Sequence, residues 1–229
     1  MLDLYRKFIE EESAQADSVK ELGSVLQRDR IEHMAEMCCL RGPGDLIEIG
    51  CYVGGTSSRL AMIARKYQRK LVCVDNWKGG DSYHLDQMGE MFTRDMQSFL
   101  DVLIVLKGDA HEQSIIDQIK LRQYCFAFSD DGHEYEYHLS ELNTLMPIVS
   151  DLIMVDDIYL PDVRRAIADS IQAHAGWNEH TDTRLRESWL IKNGGRPVQA
   201  AATEQKTQPV PVAAKREEKY QPNKNRKGR

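Results

Sequence analysis

The sequence predicts a three-layer, doubly wound α/β domain, and three observations carry that prediction. Five short apolar runs recur along the chain: "LIEIG" (46–50), "KLVCVD" (70–75), "VLIVLKGD" (102–109), "YCFAFSD" (124–130) and "DLIMVDD" (151–157). Continuous runs of this length suit strands covered on both faces. Amphipathic helical stretches lie between them, and strand–helix alternation specifies a parallel sheet flanked by helices. Finally, each run ends in glycine or acid, and in such sheets ligands bind outside the carboxyl ends of the strands.

Each element follows from its own pattern. Before residue 45, "LYRKFIEEE" and "VKELGSVLQRDRIEHMAEMCCL" space apolar residues at helical intervals, and "RGPGD" stops the second helix. In "TSSRLAMIARKY" Leu60, Ile63, Ala64 and Tyr67 share a face, as do Leu139, Leu142, Leu145 and Met146 in "YHLSELNTLMPIV". "LPDVRRAIADSIQAH" opens with Pro161 near a helix start and carries Val163, Ala166, Ile167 and Ile171 as a stripe. "ESWLIKNGG" is expected to supply a last edge strand, and the polar stretch "NWKGGDSYHLDQMGEMFTRD" to form a lid or acceptor loop.

Composition narrows the class. A chain of 229 residues suits one domain plus an appendage. Its apolar runs fall short of the roughly 20 residues that span a bilayer, and "MLDLYRKFIEEES" turns acidic without a signal-peptide core. The five cysteines, Cys38, Cys39, Cys51, Cys73 and Cys125, form no CxxC pair and read as reduced thiols of a cytoplasmic protein. Charge is uneven. From Arg196 onward nine basic residues face three acidic ones, so the rest of the chain carries −12 of the formal −6. That tail holds four of the seven prolines and reads as disordered. A basic tail could touch nucleic acid, but the acidic remainder argues against nucleic acid as the main ligand.

The strand ends carry the chemistry. In "EIGCYVGGTS" Gly50, Gly54 and Gly55 permit a tight turn and close backbone approach at a helix start. The dinucleotide fingerprint G-x-G-x-x-G is not matched, which counts against a nicotinamide-dependent oxidoreductase. Asp75 closes the second strand, 25 residues after Gly50, where an acid accepts bonds from ribose hydroxyls. The two together point to a nucleoside cofactor, with Asp109 and Ala110 of "KGDAHE" placed for its base. A glycine turn alone, or a single loop aspartate, has an ordinary structural reading.

Glu48-Ile-Gly50-x-x-x-Gly54-Gly55-Thr56, Val-Asp75-x-Trp77 and Gly108-Asp109-Ala110 resemble the motifs of class I S-adenosylmethionine-dependent methyltransferases. "VDNWKGGD" and "DDIYLPDV" are most like the group of macrocin-type sugar O-methyltransferases and cephalosporin hydroxylase-like relatives, over about residues 44–175. The resemblance implies a Rossmann-like methyltransferase fold whose cofactor contacts Glu48, Gly50, Cys51, Tyr52, Gly54, Thr56, Asp75, Asn76, Trp77, Asp109, Ala110 and Asp130. It also implies a divalent cation at the strand ends, Mg²⁺ or another. Aligning His133 and Tyr135 with the group's Asp-Gly-x-His-x-Tyr puts Asp130 on the metal-binding aspartate, with Asp131 the alternative. Asp156 and Asp157 match the second acidic element.

Simple chemistry agrees. Three clustered carboxylates repel one another, and a cation resolves that. A bound metal orients and acidifies an acceptor hydroxyl, and His133 could take its proton, with Glu134 a competing base. The plainer readings are that Asp157 or Asp162 caps the next helix, that His133 is structural, and that Trp77 only packs. His84 and His111 have no comparable context. The sequence therefore reads as an N-terminal helical segment (1–43), a cofactor-binding methyltransferase domain (44–195) and a disordered basic tail (196–229). The expected activity is O-methylation of a small molecule, a sugar or glycoside, by a cytoplasmic enzyme. The alternatives are a metal-independent methyltransferase, an oxidoreductase on a similar sheet, or a non-catalytic binder acting through its tail. The N-terminal helices could cover the site or form a homo-oligomer contact.

Overall fold

The computed structural model describes residues 23–78, 85–182 and 186–193. The "LYRKFIEEE" helix, the 196–229 tail and His84 lie outside the described residues.

The five apolar runs all become strands: β1 (Asp45–Ile49), β2 (Leu71–Asp75), β3 (Leu103–Lys107), β4 (Tyr124–Ser129) and β5 (Val149–Val155). With β6 (Trp177–Asp182) and β7 (Glu187–Lys192) they form one seven-stranded sheet in the order β3-β2-β1-β4-β5-β7-β6. The first five are parallel, and β7 runs antiparallel to both β5 and β6. The "ESWLIKNGG" stretch was expected at the edge, but it lies inside the sheet and β6 is the edge strand. Burial explains the order: Trp189, Leu190 and Ile191 are at most 1% exposed and need cover on both faces. "WNEHTD" has one large apolar residue and suits an edge.

Helices α1 (Gly23–Arg41), α2 (Gly55–Lys66), α3 (Leu85–Asp95), α4 (Gln113–Ile119), α5 (Tyr135–Leu145) and α6 (Pro161–Ala173) complete the described layers. Alternate strand residues face opposite ways, so the sheet divides the core in two. Leu46, Cys73, Phe126 and Met154 pack with Ile31, Met34 and Cys38 of α1 and Leu60 and Ile63 of α2. Ile47, Val72, Ala127 and Ile153 pack with Leu142 and Leu145 of α5 and Val163 and Ile167 of α6. Two buried ion pairs bind α1 to the sheet: Arg30 to Glu187 of β7 and Arg41 to Asp151 of β5. No described helix is long and apolar enough to cross a membrane.

The expected lid is largely helix. α3 occupies 85–95, and its Met88 and Phe92 enter the α1–α2 side of the core, with Phe92 5.0 Å from the Trp77 ring. Residues 79–84 of that stretch lie outside the described residues. At α6 the N-cap is Leu160 and makes no side-chain cap. Neither Asp157 nor Asp162 therefore occupies the capping position, and the rim acids need another explanation.

Candidate active site

Strand register builds the site. Ile49 pairs with Ser129, and Ser129 with Val155. The ladder runs one residue further, with the Asp130 amide donating to Ile49 O (2.9 Å) and the Asp156 amide to Ser129 O (3.1 Å). Gly50, Asp130 and Asp156 thus stand side by side at the rim. Gly50 has φ +86°, and a β-carbon there would collide with the Asp130 carbonyl and lie 2.9 Å from the Asp131 nitrogen. Only glycine lets β1 and β4 end this close together. Tyr52, Trp77 and Asp157 are also left-handed, at φ 50°, 51° and 52°. Strain of this kind in non-glycine residues gathers at functional loops.

One corner of the rim is organised by Asp75. Its Oδ2 accepts the amides of Cys51 and Tyr52, both at 2.8 Å, and its Oδ1 accepts the Trp77 amide at 2.6 Å. A carboxylate has about four acceptor positions, so three backbone bonds leave room for one hydroxyl. The Trp77 indole donates to Tyr52 O at 2.7 Å, and the ring is 8% exposed. It ties the glycine turn to α3. Asn76 accepts the Lys78 amide at 2.7 Å, and Thr56 is half-buried in the first turn of α2. Glu48 is 1% exposed under the turn, where burial and then the nearby Asp75 charge push its carboxyl up to about 8, against a neighbouring Ser57 hydroxyl. Ala110 is 4% exposed, beside Asp109.

A second corner collects acid and imidazole. Asp130, His133 and Asp157 bring one ligand atom each to within 4.8 Å of one another. His133 Nε2 lies 2.7 Å from Asp157 Oδ2. Asp156 is not in that group, and its Oδ1 accepts the Asp157 amide at 2.8 Å. Burial, followed by the charges of Asp156, Asp157, Glu48 and Asp131, pushes Asp130 up to about 8. Asp131 is also raised, by burial and then by Asp75, with Asp109 adding to it. The two neighbouring aspartates therefore feel different corners, Asp130 chiefly the acid–imidazole cluster and Asp131 chiefly the Asp75 side.

Sequence reasoning passed over three residues. His111 donates its amide to Asp109 Oδ1 (2.9 Å), sets Nδ1 2.6 Å from the same oxygen, and puts Nε2 2.9 Å from Tyr137 O. Burial opposes ionisation of Asp109, but the His111 amide and ring together hold it below its ordinary value. The spacing Asp-x-His in "GDAHE" was the available signal. His138 and Glu141 of α5 are both 1% exposed beneath the acidic corner. They fall in the helix's apolar stripe, which a search for exposed chemistry overlooks. Glu134, the competing base, is the exposed N-cap residue of α5.

The family model described as a methyltransferase domain matches residues 47–158, just under half of the chain. No curated protein sequence matches. Among solved structures the chain resembles the O-methyltransferase NovP at 19% identity, covering 71% of this chain and 80% of that one, with a TM-score of 0.54. CalS11, a TDP-rhamnose 3'-O-methyltransferase of calicheamicin biosynthesis, is 17% identical over 76% of this chain and 84% of its own, at 0.54. TomG of Streptomyces achromogenes, solved with S-adenosylmethionine, is 13% identical over 72% and 80%, at 0.53. Likeness at this identity establishes a shared fold.

Proposed function

We propose that the protein is a divalent-cation-assisted O-methyltransferase using S-adenosylmethionine, a reading supported by the match of residues 47–158 to the methyltransferase-domain model. The carrying observation is that the Asp75 corner and the Asp130–His133–Asp157 corner meet where Gly50 touches the Asp130 backbone. A nucleoside bound at the first would present its methyl group toward an acceptor at the second.

The glycine turn gives the donor a close-fitting backbone surface, and Asp75 accepts a ribose hydroxyl with its remaining capacity. Asp109, held by His111, and Ala110 flank the base, while Asp131 faces the same corner. The acidic corner fits a cation: Asp130 is raised by burial and then by its carboxylate neighbours, and the donors there are oxygen and imidazole nitrogen. Asp130 and Asp157 would hold it, with Asp156 alongside. When bound, the cation supplies the positive charge that acidifies an acceptor hydroxyl. With Nε2–H donating to Asp157, His133 keeps the Nδ1 lone pair for the hydroxyl proton. Methyl transfer is an in-line displacement, so fixing acceptor oxygen and donor carbon at one rim supplies much of the acceleration. We take the acceptor to be a sugar or glycoside, on the resemblance of "VDNWKGGD" and "DDIYLPDV" to the sugar-modifying group and on the likeness to CalS11.

One observation favours a second, metal-free reading: the 2.7 Å His133–Asp157 pair is already a base with its orienting acid.

Calorimetric titration with S-adenosylhomocysteine, with and without Mg²⁺ and with NADH as control, tests the assignment. Micromolar binding of S-adenosylhomocysteine, absent in Asp75→Ala, is expected. NADH binding in its place overturns the assignment. Turnover that survives both chelation and Asp130→Ala would leave the metal-free mechanism.

A further inference from the structure

Two ionisable side chains under the acidic corner take no part in the reaction above. His138 and Glu141 lie three residues apart on α5, hence on one face, and both are enclosed. Ser129 Oγ donates to Glu141 Oε2 at 2.7 Å. His138 Nδ1 lies 3.2 Å from Gly132 O. The two helix residues therefore grip the opposite ends of the segment that carries Asp130 and Asp131.

The remaining atoms complement each other. Among the described residues, Glu141 Oε1 and His138 Nε2 are both buried with no hydrogen-bond partner. A carbonyl only accepts, so His138 carries its proton on Nδ1, and a neutral ring then leaves a bare lone pair at Nε2. Burial pushes His138 down to about 4, which keeps the ring neutral. Burial, then the charge of Asp131, drives Glu141 well above the usual carboxylate range, so this acid keeps a proton and needs an acceptor for it. Unpaired polar atoms in an enclosed space are costly, and here one lacks a donor while its helix neighbour lacks an acceptor.

We propose that Glu141 Oε1–H donates to His138 Nε2, directly or across one enclosed water, closing a donor chain from Ser129 through Glu141 and His138 to the Gly132 carbonyl. The chain fixes both ends of residues 129–132 and so aims Asp130 at the cation and Asp131 at the donor corner. Glu141 and His138 are then positioning residues, conferring on the rim acids the orientation that outer groups confer on metal ligands. The consequence for the cation rests on the proposed metal-assisted reading, whereas the hydrogen-bond chain does not.

The test uses the full chain labelled with ¹⁵N-histidine. Long-range ¹H–¹⁵N correlation should show His138 as the neutral Nδ1–H tautomer, with an Nε2 shift typical of a hydrogen-bonded acceptor. Glu141→Gln, whose amide both accepts and donates, should preserve that pattern, and Glu141→Leu should move Nε2 to the value of an unpaired acceptor. Mn²⁺ affinity, read from the free-ion paramagnetic resonance signal, should fall about tenfold or more in Glu141→Leu and recover in Glu141→Gln. Should Glu141→Leu fail to fold, Ser129→Ala, which removes the first link of the chain, supplies the Mn²⁺ reading in its place, while the wild-type His138 tautomer decides the rest. An Nε2–H tautomer or an imidazolium at His138 overturns the chain, and wild-type Mn²⁺ affinity in a folded Glu141→Leu overturns the positioning role. A wild-type protein that binds no Mn²⁺ overturns the metal reading instead, while the tautomer still decides the chain.

Discussion

His133 and Asp157 meet at 2.7 Å across loops that follow different strands, 24 residues apart in sequence. Asp157 reaches the histidine from a left-handed backbone, φ 52°, directly after Asp156 at the end of β5. The histidine side chain is 46% exposed and the aspartate 25%. The pair is open to an acceptor on one side and fixed by protein on the other, as a general base requires.

Removing either member should damage chemistry and spare cofactor binding. His133→Gln and Asp157→Asn are each expected to lower kcat by about 10²–10⁴, with S-adenosylhomocysteine affinity near that of wild type by calorimetry. His133→Gln with wild-type turnover would remove histidine from the mechanism and leave Glu134 as the base to test.

Gly50 and Gly54 differ in what surrounds them, and their alanine variants should differ too. Both have positive φ, 86° and 92°. A β-carbon on Gly54 would meet only side chains, Phe92 at 3.2 Å and Met96 at 3.4 Å, whereas one on Gly50 meets the backbone of Asp130 and Asp131. A left-handed conformation costs a non-glycine residue about 1–2 kcal/mol, and the backbone collision adds to it. Gly50→Ala should therefore unfold at clearly lower denaturant than Gly54→Ala and lose S-adenosylhomocysteine binding. Equal melting of the two would mean that the strand ends can separate without loss.

The rim was legible because each strand announces its end. An apolar run stopping at Asp75, Asp109, Asp130 or Asp156 places a carboxylate by counting along one chain, and the parallel sheet gathers the four. What could not be read depends on partners distant in sequence. The order β5-β7-β6 follows from burial of Trp189 between two neighbours, and nothing inside "ESWLIK" distinguishes an inner strand from an edge. α3 was hidden by its polar composition, since Met88 and Phe92 are its buried anchors and Gly89 sits between them. Glu141 acquires meaning only from Ser129, a residue that the fold brings to it, and the second anchor of His111, the Tyr137 carbonyl, likewise comes from a distant element.

Glu48 predicts a pH dependence of stability. Burial, then Asp75, hold its folded-state value at about 8, above its ordinary 4.5. The folded protein retains this proton where the unfolded chain has lost it, so the group's contribution falls as pH rises from about 4.5 to about 8 and is level beyond. The slope is at most about 1.4 kcal/mol per pH unit. Glu48→Gln keeps the neutral shape, so its urea midpoint should decline less than that of wild type between pH 5 and pH 8. Parallel declines in the two proteins would mean that Glu48 ionises freely where it lies.

The Arg30–Glu187 pair predicts how firmly α1 belongs to the domain. Arg30 Nε and Nη2 reach the two Glu187 oxygens at 3.3 and 3.0 Å, and both residues are almost wholly buried. Breaking a buried pair from one side costs about 3–5 kcal/mol, whereas replacing both members with apolar residues is often neutral. Arg30→Met should therefore lower Tm by many degrees, and Arg30→Met with Glu187→Leu should recover most of the loss. The same comparison reports on the sheet, because Glu187 opens β7, the inner strand that was expected at the edge. If Arg30→Met melts with the wild type, α1 is held by its apolar face alone, through Ile31, Met34 and Cys38, and the ion pair only selects its orientation.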